Sequence, residues 1–441
     1  MIGLEQIGMD WVQIDRQHVW HPFTQEQTAP LPVEISSAQG AWLYAKEGQR
    51  FLDLISSWWV NLHGHAHPTI AAAIAQQAQT LEQVMFAGFT HQPAAELAYE
   101  LVQRLPTGLT RVFYSDNGST AIEVALKIAL QYWRNQGQQR KRFAVFDGSY
   151  HGDTVGAMSV GQGSQFFTHY QALLFQVDVL PYPLTWERDP HVEQKEAVAL
   201  QAFDAYLQRH AHEVAGILIE PLVQGASGMR MCRPQFLQGL SQRAKAAGVL
   251  LLFDEVMTGF GRTGQWFASQ TAQVTPDIIC LSKGITAGFL PLSVTVCSET
   301  VYQAFLGETF DRAFVHGHSF TANPLGCAAA LASLQVFKTE NTLAKLPQIE
   351  HWHRQQLEWL LQHPKVEQVR ICGTIAAFNV KATETGYASS VSEHLRTFFM
   401  ERGILLRPLG NTVYLLPPYC ITEDELISGY QVIERALDAL I

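Results

Sequence analysis

The 441-residue sequence is short of cysteine and of basic residues, and it has no long hydrophobic run. Its six cysteines show no pairs at metal-ligand spacing, and a chain of this size needs no disulfide bonds, so we expect reduced thiols in the cytoplasm. Thirty basic residues against 40 acidic ones give a net charge of −10, which argues against a nucleic-acid partner. No apolar run approaches the roughly 18 residues that cross a membrane, and residues 1–6 include an acid and no leader-like core. We therefore expect a soluble protein that is not secreted and has no membrane partner.

Hydrophobic residues make up 47% of the chain and charged residues 16%, which is typical of a folded protein with a substantial core. Between about residues 70 and 330, short apolar runs alternate with helical segments, and this indicates an α/β fold with a largely parallel sheet. The runs are residues 143–146, 214–219, 249–253, 278–281 and 292–297. Strand-like and helical pieces also form a smaller C-terminal α+β unit. We divide the chain into an N-terminal segment (1–65) that packs with the small domain, a large domain (66–330) and the small domain (331–441).

Two of the apolar runs are followed by charged side chains that could do chemistry. Lys283 follows the run 278–281, and an amine among apolar neighbours loses solvation, so its pKa falls and it becomes nucleophilic. Asp254 ends the run 251–254, at the strand end where open α/β sheets bind ligands. A carboxylate there can hold a heteroaromatic ring nitrogen protonated. The plainer alternatives are a lysine that caps a strand and an acid that caps a turn.

Three segments have the composition of ligand-binding loops. Residues 116–120 place a glycine and two hydroxyls at a helix start, which suits a phosphate or is an ordinary N-cap turn. Residues 148–153 set Tyr150 between glycines, where its ring can stack on a planar cofactor or pack against the core. Residues 316–324 are a second candidate phosphate loop, because small hydrogen-bonding groups precede an alanine-rich helix.

Two other patterns are misleading. Residues 259–264 fit the dinucleotide pattern GxGxxG, but no helix follows directly and the next predicted strand is followed by Lys283, not by an acid. Three histidines alternate along one segment and could in principle bind zinc: His63, His65 and His67. A glycine and a proline interrupt that segment and no neighbouring acid or cysteine completes a site, so we expect no metal.

Together, a Schiff-base lysine, an aspartate some 30 residues before it, two anion loops and a stacking aromatic suit pyridoxal phosphate. The order of these motifs resembles the class III aminotransferases of fold type I over nearly the whole chain. The segments that carry the resemblance are 117–119, 149–152, 253–256, 259–264, 282–284 and 317–320. The resemblance implies a pyridoxal phosphate-dependent aminotransferase with a mainly parallel seven-stranded sheet between helices and a smaller α+β domain. It also implies a homodimer whose active sites lie at the subunit interface.

The resemblance further implies a role for each matching position. The catalytic residues would be Lys283, which forms the Schiff base, Asp254, which pairs with the ring nitrogen, and Tyr150, which stacks on the ring. The other cofactor-binding residues would be Gly118, Ser119, His318 and Ser319, with Ser319 reaching the phosphate of the second subunit. The substrate-binding residues would be Phe23, Trp58, Trp59, Tyr150, Arg262, Gly317 and Arg407. Arg262 could instead be a structural member of an ion pair.

Within the class, residues 18–24, 56–59 and 406–408 resemble those members that convert 8-amino-7-oxononanoate to 7,8-diaminononanoate in biotin synthesis. The resemblance implies S-adenosylmethionine as amino donor, ping-pong chemistry through pyridoxamine phosphate, and a bidentate clamp on the acceptor carboxylate by Arg407. Many members carry a tyrosine where Phe23 stands, whereas some relatives that use lysine as donor carry a phenylalanine. Lysine is therefore an alternative donor. The remaining alternatives are a transaminase for ornithine, 4-aminobutyrate or a polyamine, and a non-catalytic pyridoxal phosphate-binding protein.

Overall fold

The fold is described from a computed structural model, which describes residues 11–161, 165–382, 389 and 391–440. Residues 1–6, from which we predict that no secretion leader is present, lie outside the described residues. The helices are α1 Trp11–His18, α2 Ser56–Trp59, α3 Pro68–Ala78, α4 Gln92–Arg104, α5 Gly118–Asn135, α6 Val155–Val160, α7 Val192–His210, α8 Pro234–Ala246, α9 Ala268–Ala272, α10 Glu299–Gln303, α11 Pro324–Thr339, α12 Thr342–Gln355, α13 Leu357–Gln362, α14 Val391–Glu401 and α15 Glu423–Ala439. The strands are β1 Ile35–Gln39, β2 Trp42–Ala45, β3 Arg50–Asp53, β4 Leu109–Ser115, β5 Arg142–Phe146, β6 Asp178–Leu180, β7 Val214–Ile219, β8 Val223–Gln224, β9 Arg230–Met231, β10 Leu251–Asp254, β11 Ile278–Leu281, β12 Ser293–Ser298, β13 Val366–Cys372, β14 Ile375–Val380, β15 Ile404–Leu405 and β16 Thr412–Leu415.

A seven-stranded sheet forms the centre of the large domain, in the order β4-β12-β11-β10-β7-β5-β6. Strand β12 runs antiparallel to both of its neighbours, and all the other pairs are parallel. The five predicted apolar runs are β5, β7, β10, β11 and β12. Every residue of β7, β10 and β11 is buried, as expected when helices cover both faces of a parallel sheet. The predicted α/β fold with a mainly parallel sheet is confirmed.

The carboxyl ends of β4, β7, β10 and β11 meet at one edge of this sheet, because these strands share one direction. Two residues separate the end of β4 from Gly118, where helix α5 starts, and one residue separates the end of β11 from Lys283. Ligands of open α/β sheets bind at this edge. The topology therefore brings the predicted phosphate loop, the aspartate and the lysine to one place.

Three smaller sheets accompany the central one: β1-β2-β3-β15, β13-β14-β16 and β8-β9. Strand β15 pairs in parallel with β3, so a piece of the C-terminal region completes a sheet of the N-terminal segment. The predicted division at residue 330 falls within α11, a continuous helix. The three-part division of the chain stays a prediction.

The cysteines and the helices can be compared with the two expectations drawn from composition, reduced thiols and no membrane span. All six cysteines are free thiols, and four of them are buried. None of the helices in the described part of the chain combines the length and the apolar character needed to cross a membrane.

Candidate active site

A cavity of about 390 Å³ opens at the carboxyl edge of the central sheet. It brings together five of the predicted cofactor residues, Gly118, Ser119, Tyr150, Asp254 and Lys283, which come from four separate segments of the chain. The remainder of the wall consists of Trp59, Val60, Asp116, Asn117, His151, Gly152, Glu220, Val256, Met257, Ser282, Gly288, Leu290, Pro291 and Leu292. The cavity is the candidate cofactor site.

Lys283 supplies the amine of this cavity. It has φ 44°, an uncommon conformation for a bulky side chain, so the surrounding structure holds the turn after β11 in place. Burial lowers the pKa of Lys283, although the negative charges of Asp254 and Glu220 act in the opposite direction. Its Nζ lies 4.7 Å from the centre of the Trp59 ring. The amine is therefore biased toward its neutral form, which can act as a nucleophile or a base.

Asp254, the last residue of β10, carries a buried carboxylate. Its Oδ1 accepts a hydrogen bond from the Val256 backbone N–H at 3.0 Å, and its Oδ2 lies 2.6 Å from His151 Nδ1. The side chain of His151 is fully buried, and its Nε2 has no partner among the described residues. The Asp254 carboxylate is thus oriented by the imidazole of His151, a residue that the sequence analysis assigned only to a loop. His151 belongs to the candidate site but was not selected from the sequence, although its position beside Tyr150 offered a signal.

The N-terminus of α5 forms the anion end of the cavity. Asn117 caps this 18-residue helix, since its side chain accepts a hydrogen bond from Thr120 N at 3.0 Å. A Cβ atom added to Gly118 would lie only 2.7 Å from Val256 Cγ1, and one added to Gly152 would lie 2.0 Å from Ser119 Oγ. Backbone N–H groups and the positive end of the helix dipole therefore face the cavity at a point where side chains do not fit.

Glu220, just after β7, joins two walls of the cavity. Its Oε1 accepts from Tyr150 N at 3.0 Å and its Oε2 from Gly225 N at 2.9 Å. Burial raises the pKa of Glu220 to about 7, with the nearby Asp254 carboxylate acting in the same direction. The Tyr150 ring lies nearly parallel to that of Phe167, at 6.0 Å between centres. Sequence reasoning missed Glu220, even though it follows a buried strand much as Asp254 ends one.

A second cavity of about 420 Å³ shares Trp59, Tyr150 and Lys283 with the first. Its further lining residues are Pro22, Phe23, Trp58, Asp153, Ala226, Arg407 and Leu409. The Arg407 guanidinium lies 4.4 Å from the centre of the Trp58 ring, and the Phe23 ring meets Trp58 edge-on at 5.8 Å. Five predicted substrate residues thus line one space, together with Asp153, which sequence reasoning did not select.

Arg262 lies outside both cavity walls. It is buried, with 1% of its surface exposed, and its guanidinium donates to the carbonyl oxygens of Pro417 (3.0 Å), Asn61 (2.9 Å) and Trp59 (3.4 Å). Through these carbonyl groups, Arg262 joins its own segment to residues 59–61 and to Pro417. A direct contact between Arg262 and substrate stays a prediction.

The loop with Gly317, His318 and Ser319 also lies outside the walls of the two cavities. The Ser319 carbonyl accepts from Gln83 Nε2 at 2.6 Å, which ties this loop to the loop that precedes α4. This loop therefore does not line the cavities of its own chain. Its contacts with the phosphate and the substrate of a second subunit stay predictions.

The two patterns that we set aside adopt other structures. Residues 259–264 form turns, and the nearest following helix is the short α9. His65 pairs with Asp53 at 2.8 Å and His67 with Glu340 at 2.9 Å. In the described ranges, no group of three or more histidine, cysteine or acidic side chains is arranged to hold a metal ion.

The first cavity has the groups that pyridoxal phosphate requires. The start of α5 suits the phosphate, the Asp254–His151 pair suits the ring nitrogen, and the half-buried Lys283 amine suits the reactive carbonyl. The glycines at positions 118 and 152 let the backbone approach Val256 and Ser119 closely at the anion end of the cavity. The residues present therefore fit this cofactor.

Comparisons with known proteins show which family this chain resembles. The family model "Aminotransferase class-III" matches residues 23–437. The chain is 56% identical to the adenosylmethionine-8-amino-7-oxononanoate aminotransferase of Synechococcus elongatus, over 96% of this chain and 99% of the relative. It is 42% identical to the protein of that name from Geobacter sulfurreducens, over 95% and 94% of the two chains.

Two solved structures are similar to this fold over almost the whole chain. The crystal structure of the adenosylmethionine-8-amino-7-oxononanoate aminotransferase of Methanocaldococcus jannaschii has a TM-score of 0.90 at 32% identity, covering 97% of this chain and 98% of that one. The PLP-bound amine transaminase of an uncultivated Pseudomonas species has a TM-score of 0.88 at 31% identity, covering 96% and 98%.

Proposed function

Since this chain belongs to the class III aminotransferases and takes pyridoxal phosphate as its cofactor, we propose that it aminates 8-amino-7-oxononanoate to 7,8-diaminononanoate in biotin synthesis. The observation that carries the proposal is the second cavity, whose wall includes both Lys283 and Arg407. The names of the relatives support the same acceptor.

The shape and chemistry of this cavity suit a long chain with a terminal carboxylate. The planar guanidinium of Arg407 can bind a carboxylate through two parallel hydrogen bonds. Trp58 and Trp59 offer apolar surface to the methylene groups, each worth about 0.8 kcal/mol when buried. The Asp153 carboxylate can attract the amino group of the acceptor. Each part of 8-amino-7-oxononanoate thus has a complementary group in the wall.

The residues of the chain divide the catalytic work. When bound, pyridoxal phosphate supplies the electron sink that makes the C–H bond beside the transferred nitrogen acidic. Lys283, biased toward its neutral form by burial, would take that proton and return it to the carbon on the other side of the transferred nitrogen. Asp254, oriented by His151, would present a negative charge to the ring nitrogen.

We propose S-adenosylmethionine as the amino donor. The names of the relatives support it, and so does the pair of tryptophans, which offers a wide apolar surface next to Lys283. Phe23, which lacks the hydroxyl of tyrosine, is the feature that favours lysine instead.

The experiment that tests acceptor and donor uses the purified holoenzyme with 8-amino-7-oxononanoate and each donor in turn. We expect mass spectrometry to detect diaminononanoate with S-adenosylmethionine, and we expect this donor alone to bleach the visible absorption of the cofactor. Product formation with lysine only would overturn the choice of donor. Amino transfer from ornithine or 4-aminobutyrate, with no reaction of the oxononanoate, would overturn the acceptor.

We further propose a cytoplasmic homodimer with active sites at the interface. Two loops joined by the Gln83–Ser319 hydrogen bond expose four large apolar side chains, which is typical of a surface that another chain covers. These are Met85 (63% exposed), Phe89 (59%), Val315 (65%) and Phe320 (59%). Six free thiols suit a reducing compartment. Light scattering should give twice the 49.3 kDa of one chain, and a mass of 49.3 kDa would contradict the dimer.

A further inference from the structure

Residues 53–59, which we name the tryptophan hook, have an unusual backbone. Ser56, Ser57 and Trp59 have φ values of 52°, 62° and 69°. Ser57 also has ψ −87°, and Trp58 lies outside the helical region at φ −133° and ψ 59°. Residues with a Cβ rarely adopt such conformations, and a run of them persists only where the surroundings hold it.

Asp53 is the residue that holds the tryptophan hook. Its carboxylate is fully buried, with Oδ1 accepting from Ile55 N at 3.0 Å and Oδ2 accepting from Ser57 N at 2.6 Å. The same Oδ2 lies 2.8 Å from His65 Nε2, which fixes the carboxylate from the other side. A weaker attachment is the Ser56 hydroxyl, which donates to the Leu416 carbonyl at 2.7 Å. One carboxylate thus accepts from two amides of the strained turn, that of the buried Ile55 and that of Ser57.

The tryptophan hook presents its two indoles to the two basic side chains of the substrate cavity. Side chains of neighbouring residues point to opposite sides of an extended strand. Here both Trp58 and Trp59 line the same cavity, with Trp59 under the Lys283 amine (4.7 Å) and Trp58 under the Arg407 guanidinium (4.4 Å). The separation of the Lys283 amine and the Arg407 guanidinium is therefore tied to the geometry of one short turn.

We propose that Asp53 is a positioning residue that, through the tryptophan hook, sets the distance between the reacting amine and the carboxylate-binding guanidinium, and so selects the chain length of the acceptor. This inference rests on the proposed function, because it needs an acceptor with its carbonyl at one end and its carboxylate at the other. A rigid wall discriminates between chains that differ by one methylene, whereas a loosened wall accommodates both.

The test compares 8-amino-7-oxononanoate with homologues that have one methylene more or fewer, in the wild-type protein and in Asp53→Asn. Asparagine cannot accept from both amides, because its NH₂ group faces one of the N–H donors. We expect the wild type to prefer its own acceptor about 10- to 200-fold per methylene. We expect D53N to lose most of this preference through KM, while kcat for the natural acceptor and the visible spectrum of the bound cofactor stay close to wild type.

Two further variants make the result decisive. Glu340→Gln breaks a similar histidine–carboxylate pair, His67–Glu340, outside the tryptophan hook, so it should keep the wild-type preference. Ser56→Ala loosens only the weaker attachment and should relax the preference less than D53N; it replaces D53N as the test if that variant does not fold. Unchanged preference in the folded variant, or an equal loss for every chain length, would overturn the proposal. A wild type that does not aminate the oxononanoate would instead overturn the proposed function.

Discussion

Glu255, the neighbour of Asp254, gives a test of how this fold treats a buried carboxylate. It is fully buried, on the side of β10 away from the cavity. Its Oε2 accepts from Ala268 N at 2.6 Å, and its Oε1 accepts from Ser269 N at 2.7 Å. Thr258 Oγ1 adds a longer hydrogen bond to Oε2, at 3.3 Å. Glu255 therefore connects the turn after β10 to the start of α9.

Two effects on the pKa of Glu255 oppose each other. Burial disfavours the charged form, whereas the two backbone N–H donors favour it. Burial is the larger effect and raises the pKa of Glu255 from 4.5 to about 7. The folded chain thus holds this proton more tightly than the unfolded chain does. Between the two pKa values, stability falls as the pH rises, because ionisation is easier after unfolding.

The size of this effect follows from the shift. One pKa unit corresponds to about 1.4 kcal/mol, so the whole rise from 4.5 to about 7 is worth about 3.5 kcal/mol. About 2.5 kcal/mol of this cost to the folded state falls between pH 5 and pH 8, because most of the remainder is already present below pH 5. Glu255→Gln has no proton to lose there and removes this dependence. The free energy of unfolding of wild type minus that of E255Q should therefore fall by about 2.5 kcal/mol across the range.

Urea titrations of wild type and E255Q at several pH values measure this difference in the free energy of unfolding. The contributions of the other titrating groups are the same in both proteins and cancel in the difference. Asp254→Asn is the matched control, because it neutralises the adjacent carboxylate that faces the cavity. D254N should reduce turnover at least about 100-fold, whereas E255Q should leave the cofactor spectrum unchanged. A difference that stays constant with pH, or that rises, would mean that the two amide donors outweigh burial, and would refute the reasoning.

The other predictions concern the cavities themselves. Lys283→Ala should abolish turnover while circular dichroism still reports a folded chain, and retained turnover would contradict the role of the amine. Arg407→Lys loses the planar guanidinium over Trp58. A hydrogen bond to a charged group contributes about 1.5–3 kcal/mol, so KM for the acceptor should rise about 10- to 150-fold. Unchanged steady-state kinetics would exclude the carboxylate clamp. Gly118→Ala places a Cβ 2.7 Å from Val256 Cγ1, and an overpacking cost of about 1–3 kcal/mol should weaken cofactor binding measurably in equilibrium dialysis. Unchanged cofactor affinity would contradict the close packing at this helix start.

Much of the cofactor site can be predicted from the sequence because its charged side chains stand at the ends of apolar strands. A lysine or an aspartate at the end of a buried run has no packing role that an apolar residue could not fill, so Lys283 and Asp254 stand out. The N-cap of α5 is equally local, since Asn117 and Thr120 lie three residues apart and satisfy each other's backbone. Signals of this kind need no knowledge of which strands are neighbours.

Pairings across strands are less predictable. His151 and Asp254 are separated by 103 positions, and their 2.6 Å contact depends on the strand order of the sheet. Glu220 reaches the cavity because β7 lies beside β10, so that both strands deliver a carboxylate to the same wall. A sequence pattern shows that Glu220 follows a buried strand, but the position of that strand in the sheet decides whether the carboxylate meets the ligand or caps a turn.

Two pairs of adjacent residues show where local reasoning works and where it fails. Asp254 and Glu255 lie at the end of a strand, so their side chains point to opposite sides, and the separate roles of the two acids follow from the period of a strand. Trp58 and Trp59 would be separated by the same rule. They share a cavity only because Asp53 holds a turn with positive φ values, and that turn is fixed in part by Leu416, some 360 residues away in sequence. The substrate wall is therefore a tertiary feature, and its dependence on one buried carboxylate is what the chain-length experiment measures.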